Sequence, residues 1–154
     1  MINRFILFFI LIFFYFNSFS QKCFEYQKTG CVPPKSKFIY SVNNASVSFE
    51  FAFGEKRVIP VTLLMGKDYR VTLCGDDIFD GVIQFIIRDI DGNILYDNST
   101  NKYKLSIEFS NKVTQKVLFE LIAPELNFET ADSVEVKGCI GMLIEDMVSV
   151  KIGF

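Results

Sequence analysis

The chain reads as an all-β protein, an antiparallel β-sandwich or jelly roll of about eight short strands. Three observations lead there. Apolar and polar residues alternate with a period of two through several stretches. Clusters of Gly, Asn, Asp and Pro separate those stretches at short intervals, and no window carries a helical period.

Taken in order, residues 1–20 read as a secretory leader rather than part of the fold. One basic side chain, Arg4, precedes an unbroken apolar run from Phe5 to Phe16, and Ser18 and Ser20 place small residues before a cleavage site. The mature chain is expected to begin at Gln21. An apolar run of 12 residues falls short of a bilayer span, which takes about 20. Gln21 and Lys22 stand where a lipid-attachment motif at Cys23 would need small residues. Residues 21–45 then read as a disulfide-stapled N-terminal extension, and 46–154 as the sandwich domain.

Within that domain, "VSFEFAF" puts Val47, Phe49, Phe51 and Phe53 on one face of a strand. "YRVTLC" sets Tyr69, Val71 and Leu73 against Arg70, Thr72 and Cys74. "YKLSIEF" sets Tyr103, Leu105, Ile107 and Phe109 against Lys104, Ser106 and Glu108. Each is the pattern of a strand with one buried and one wet face, so Phe49, Phe51, Phe53, Leu105, Ile107 and Phe109 are expected in the core. Further strands are expected at 57–65, 82–88, 94–97, 116–122 and 134–144. Pro60 has no N–H to give a ladder, which places strand 57–65 at a sheet edge. Ile59, Pro60, Val61, Leu63 and Met65 thereby become a candidate interaction edge.

The stretch "RDIDGNILYDN" carries a D-x-D-G at Asp89, Asp91 and Gly92. As an EF-hand loop starting at Asp89 it would need Gly and Glu where Ile94 and Thr100 stand, and helices on both sides. A hairpin turn fits better, with Asp89 opening it and Gly92 in the left-handed conformation. A second acidic group, Asp76, Asp77 and Asp80, lies before strand 82–88. That strand separates it from Asp89 by roughly 20 Å. Asp97, on the returning strand, is the residue able to complete a calcium site with Asp76, Asp77 and Asp80. A solvated acidic loop is the competing reading. No other cofactor is expected.

Four cysteines follow the leader: Cys23, Cys31, Cys74 and Cys139. Their spacing lacks the close pairs of a zinc site, and an even count in an exported chain reads as two disulfides. Four cysteines allow three connectivities. Cys74 and Cys139 share outward strand faces with polar neighbours, so the expected pairs are Cys74–Cys139 and Cys23–Cys31.

Several functions are excluded or disfavoured. The chain has no His and no Trp. Serine and cysteine triads, zinc-protease helices and two-histidine iron sites are therefore unavailable. Ser99 to Lys102 fits S-x-x-K and Lys28 to Gly30 fits K-T-G, but their order is the reverse of that in penicillin-recognising enzymes and no helix opens at Ser99. Without the leader the chain keeps 15 basic and 18 acidic residues, a net charge of −3, and no basic stripe for phosphate. Sequons stand at Asn44 and Asn98.

From Gly66 onward, "GKDYRVTLCGDD", "GVIQFIIRDIDGNILYDN" and "GCIGMLIEDM" resemble an uncharacterised family of small exported proteins of Bacteroidota. More distantly they are similar to the β-sandwiches of pre-peptidase C-terminal domains and CUB-like modules. The resemblance covers roughly residues 66–147 and implies a sandwich fold without assigning a reaction. The expected function is non-enzymatic: an exported binding or assembly protein of the bacterial cell envelope, periplasmic or extracellular, whose partner is another envelope or secreted protein. The alternative is a small calcium- or carbohydrate-binding module.

Overall fold

A computed structural model describes residues 22–125 and 136–149. The expected leader lies outside them. Among the described residues, nine strands form two antiparallel sheets that pack face to face. The first sheet holds β1 (Ser41–Val42), β2 (Val47–Ala52), β4 (Lys67–Gly75), β7 (Ser106–Asn111) and β9 (Lys137–Val148). Its centre is β9 beside β4, with β7 on the far side of β4. β1 and β2 lie end to end along the other side of β9, from Ser41 opposite Asp146 to Ala52 opposite Lys137. The second sheet runs β3 (Lys56–Leu63), β8 (Gln115–Ile122), β5 (Gln84–Asp89) and β6 (Ile94–Asp97).

Alternation decides which side chains meet between the sheets. Tyr69, Val71 and Leu73 of β4 point inward with Ile140, Met142 and Ile144 of β9, against Phe85, Val117, Phe119 and Leu121 of the second sheet. Phe85 meets Phe119 edge-on with ring centroids 5.4 Å apart, a geometry that adds to burial. Tyr69 is also buried, and its hydroxyl accepts the Leu64 N–H at 2.8 Å, satisfying its polar tip. Of the six expected core residues Phe51 is fully buried. Phe49, Phe53, Leu105, Ile107 and Phe109 pack on the core with part of their surface exposed.

Two strand expectations shift. β7 begins at Ser106 rather than Tyr103, because Lys102 and Tyr103 take positive φ values of 51° and 53° that end the preceding 3-10 turn, Asn98–Asn101. β9 is long, continuing to Val148 through the pairing of Lys67 with Val148. A single helical turn, α1 (Tyr26–Thr29), carries no periodic signal because it spans only 4 residues.

Candidate interaction surfaces

The outer face of β4 is not wet. Arg70, Thr72 and Cys74 are buried like their inward neighbours, because the N-terminal segment lies over them. The supposed extension is thus part of the domain: α1 packs on β9 and β2, and β1 joins the sheet. Both disulfides fasten this segment. They are Cys23–Cys139 and Cys31–Cys74, not the expected Cys23–Cys31 and Cys74–Cys139. The register explains the error. Cys74 lies opposite Gly141, two residues along β9 from Cys139. Such a diagonal pair is about 7–8 Å apart, beyond the usual disulfide reach of about 4.4–6.8 Å. Facing outward on neighbouring strands was right; being opposite each other was not.

Gly141 lets the segment come so close. A β-carbon there would stand 2.9 Å from the Gln27 Cα and 2.8 Å from the Cys74 sulfur. Nearby, the Arg70 Nε donates to Glu145 at 2.7 Å and its Nη1 to the Pro34 carbonyl at 3.0 Å, while Tyr40 covers the guanidinium at 4.4 Å. The bond to Glu145 raises the Arg70 pKa further against the opposing effect of burial. Thr72 and Ser106 share a hydroxyl contact of 3.2 Å. This polar layer anchors the segment.

The acidic residues are distributed among structural tasks. Asp76 accepts the Cys139 N–H at 2.8 Å and, with burial, raises the pKa of the Tyr26 phenol. Asp77 opens the 3-10 turn Asp77–Phe79, and Asp80 closes it in the left-handed conformation. Asp97, at the end of β6, accepts the Ser99 N–H at 2.9 Å and a contact from Gln84 at 3.2 Å. The calcium site expected from these four residues is not assembled: among the described residues no three acidic, Cys or His side chains converge as metal ligands. Asp76 and Asp97 are instead each committed to a backbone N–H group, of Cys139 and Ser99 respectively. The D-x-D-G is a hairpin turn. Asp89 accepts the N–H groups of Asp91 at 3.0 Å and Asn93 at 2.8 Å, and Gly92 has φ of 89°. The bond from the Asn93 side chain is the main cause that lowers the Asp89 pKa.

Asn98 is fully buried, accepting the Phe85 N–H at 2.8 Å and donating to the Ile83 carbonyl at 2.9 Å. Its sequon is therefore closed to a glycan in the folded state, whereas Asn44 is exposed.

Two sheet edges differ in how open they are. A groove of about 920 Å³ runs between α1 and β2, with Phe24 and Val42 exposed along it. Its β2 edge is partly closed, since Arg57 donates to the Glu50 carbonyl at 3.0 Å and the Ala52 N–H is taken by Glu55 at 2.9 Å. β3 is one of the two edge strands of the second sheet, in keeping with Pro60. Its candidate residues divide by alternation: Val61 and Leu63 are core, Ile59 is half-buried, and Pro60 and Met65 are exposed. Val58 and Thr62 are exposed beside Pro60.

β3 leads into an apolar tip that period-two reasoning did not anticipate. The turns 64–66 and 112–114 lie side by side. Asn111 donates to the Leu64 carbonyl at 2.9 Å and the Val113 carbonyl at 2.6 Å. The Met65 N–H reaches Thr114 at 3.0 Å, and Gly66 bonds both Asn111 and Ser149 at 2.9 Å. On this braced frame Leu64, Met65 and Val113 are 47%, 66% and 62% exposed, and Val148, at the same end, 77%. Lys112 and Lys116 are exposed on either side of Val113. Met65 alone was marked by sequence; Leu64 and Val113 stand in turns, where no periodicity distinguishes an exposed apolar residue, and Val148 is the last residue of β9.

No protein-family model matches the chain, and no curated protein matches it in sequence. Among solved structures it is similar to a periplasmic lysozyme inhibitor of g-type lysozyme from Aeromonas hydrophila, at 8% identity and a TM-score of 0.46, over 67% of this chain and 85% of that one.

Proposed function

We propose that the chain is an exported protein that acts by binding another protein of the cell envelope and catalyses no reaction. The observation that carries this reading is the apolar tip. Three bulky apolar side chains stand in water on turns fixed by hydrogen bonds, with Val148 at the end of β9 exposed at the same end, next to an open strand edge. Fixed turns lose little entropy on association, and an apolar centre with a polar rim is the usual anatomy of a protein contact. The lysines beside Val113 favour a partner with acidic groups around an apolar pocket, which would speed encounter at low salt. Two disulfides suit an oxidising compartment, as the leader would require. Membership of the Bacteroidota family that the sequence resembles is part of the same proposal.

The test uses the exported protein crosslinked to its neighbours in its own envelope, followed by direct titration of the purified partner. Met65→Asp combined with Val113→Asp should keep the wild-type thermal melt and lower affinity at least tenfold, because a charge is forced into the centre of the contact. Val32→Asp, in the N-terminal segment, should leave affinity unchanged. Equal affinity of the tip variant and wild type, or hydrolysis of a peptide or glycan by the purified protein, would defeat the proposal.

A further inference from the structure

We infer that this protein matures through a disulfide rearrangement and is a substrate of a thiol–disulfide isomerase. The argument is independent of what the tip binds. In chain order the cysteines are Cys23, Cys31, Cys74 and Cys139, and the native bonds are nested, so Cys23 skips its nearest neighbour to reach Cys139. The native separations are 116 and 43 residues. Cys23 and Cys31 are only 8 residues apart. If closure probability falls as the three-halves power of loop length, the local pair forms about 55-fold more readily than Cys23–Cys139 and about 12-fold more readily than Cys31–Cys74.

Structure adds to this order. Cys139 is buried at the start of β9, between β2 and β4, so its bond needs the last strand in place. Cys31 and Cys23 are available long before. Once the local pair has closed, Cys74 and Cys139 remain as thiols. In the native register they are diagonal neighbours that cannot bond. The misbridged chain therefore has no second disulfide to close within its own fold, and the local bond has to be reopened.

Reopening is an exchange with no net redox change. An isomerase thiolate attacks the Cys31 sulfur, the Cys23–Cys31 bond breaks, and Cys23 leaves as a thiolate. The Cys74 thiolate then attacks Cys31 and expels the isomerase thiolate, forming Cys31–Cys74. The Cys23 and Cys139 thiols finally close with oxidised glutathione, which takes up two electrons and two protons to give two molecules of glutathione.

The experiment starts from exported protein, fully reduced in denaturant and diluted into glutathione buffer with or without a purified protein disulfide isomerase. Samples are alkylated, cut with trypsin and weighed. Trypsin places the four cysteines on separate peptides, 23–28, 29–35, 71–88 and 138–151. The early species should link 23–28 to 29–35, in at least tenfold excess over either native link. Isomerase should speed the change to native links at least tenfold without altering the end point. Cys31→Ser combined with Cys74→Ser cannot form the local pair, so isomerase, acting on it only as an oxidant, should speed its Cys23–Cys139 bond at least tenfold less than it speeds the wild-type change to native links. Native links as the first species, wild-type kinetics indifferent to isomerase, or equal acceleration of the double variant and the wild type by isomerase would each overturn the inference.

Discussion

At Gly141 the absence of a side chain decides where the N-terminal segment can sit. A methyl group there would meet the Gln27 backbone and the Cys74 sulfur below 3.0 Å, and backbone cannot turn aside as a side chain can. Gly141→Ala should destabilise the domain by about 1–3 kcal/mol, read as a lower melting temperature with the disulfides intact. A second residue-scale outcome concerns Glu120, buried in β8. Burial pushes its pKa up, but the Lys56 ammonium at 2.9 Å and the Arg88 guanidinium at 3.1 Å more than offset this and hold it below the ordinary value. A carboxylate lowered in the folded state stabilises above its unfolded pKa of about 4.3, and that stability is lost as pH falls through the folded value. Urea melts from pH 6 down to about pH 3 should show a steeper loss for wild type than for Glu120→Gln. Equal slopes would mean that the carboxylate does not act through its charge.

At the scale of elements, the N-terminal segment behaves as a cover held by covalent bonds at Cys23 and Cys31 and, further along at Pro34 and Tyr40, by Arg70. Removing one bond with Cys31→Ser and Cys74→Ser together should cost about 2–4 kcal/mol and speed amide exchange in β4 near Thr72, measured by mass spectrometry. The segment also shows what local patterns conceal. The period of β4 correctly divided Tyr69, Val71 and Leu73 from Arg70, Thr72 and Cys74, yet the second set is buried too. Polar side chains mark a face as wet only if nothing covers it. Here the cover is an irregular stretch with one helical turn, which has no periodicity to announce it. Pro60 was more informative because a missing N–H constrains one strand without reference to distant partners. Lys102 and Tyr103 were less so, since their left-handed conformations are set by the turn around Asn98 and not by their own preferences.

For the whole molecule, the two-sheet sandwich was legible because most strands carry their own alternation and their own turn residues. The disulfide pairing was not, for it depends on a register between β4 and β9 that differs by two residues from the one that would join Cys74 to Cys139. The acidic loop likewise suggested a common ligand, but Asp76 and Asp97 are committed to the backbone N–H groups of Cys139 and Ser99. The apolar tip emerged from the meeting of two turns nearly fifty positions apart, a proximity that no local pattern contains.

The bond from Cys23 to Cys139 gives the molecule a mechanical character as well. A pull applied at residues 22 and 149 passes through that covalent link and by-passes nearly every hydrogen bond in both sheets. The chain between the two cysteines, a sequence separation of 116, is shielded from the load, hiding roughly 390 Å of contour at about 3.4 Å per residue. Only the stretch of β9 beyond Cys139 can be peeled away. Stretched by an optical trap with handles at those two positions, the oxidised protein should lengthen by a few tens of ångströms and then stiffen, about ten residues at the same rise. Reduction should release the hidden length in force-induced unfolding of the sandwich. A full-length extension before reduction would show that the link does not carry the load.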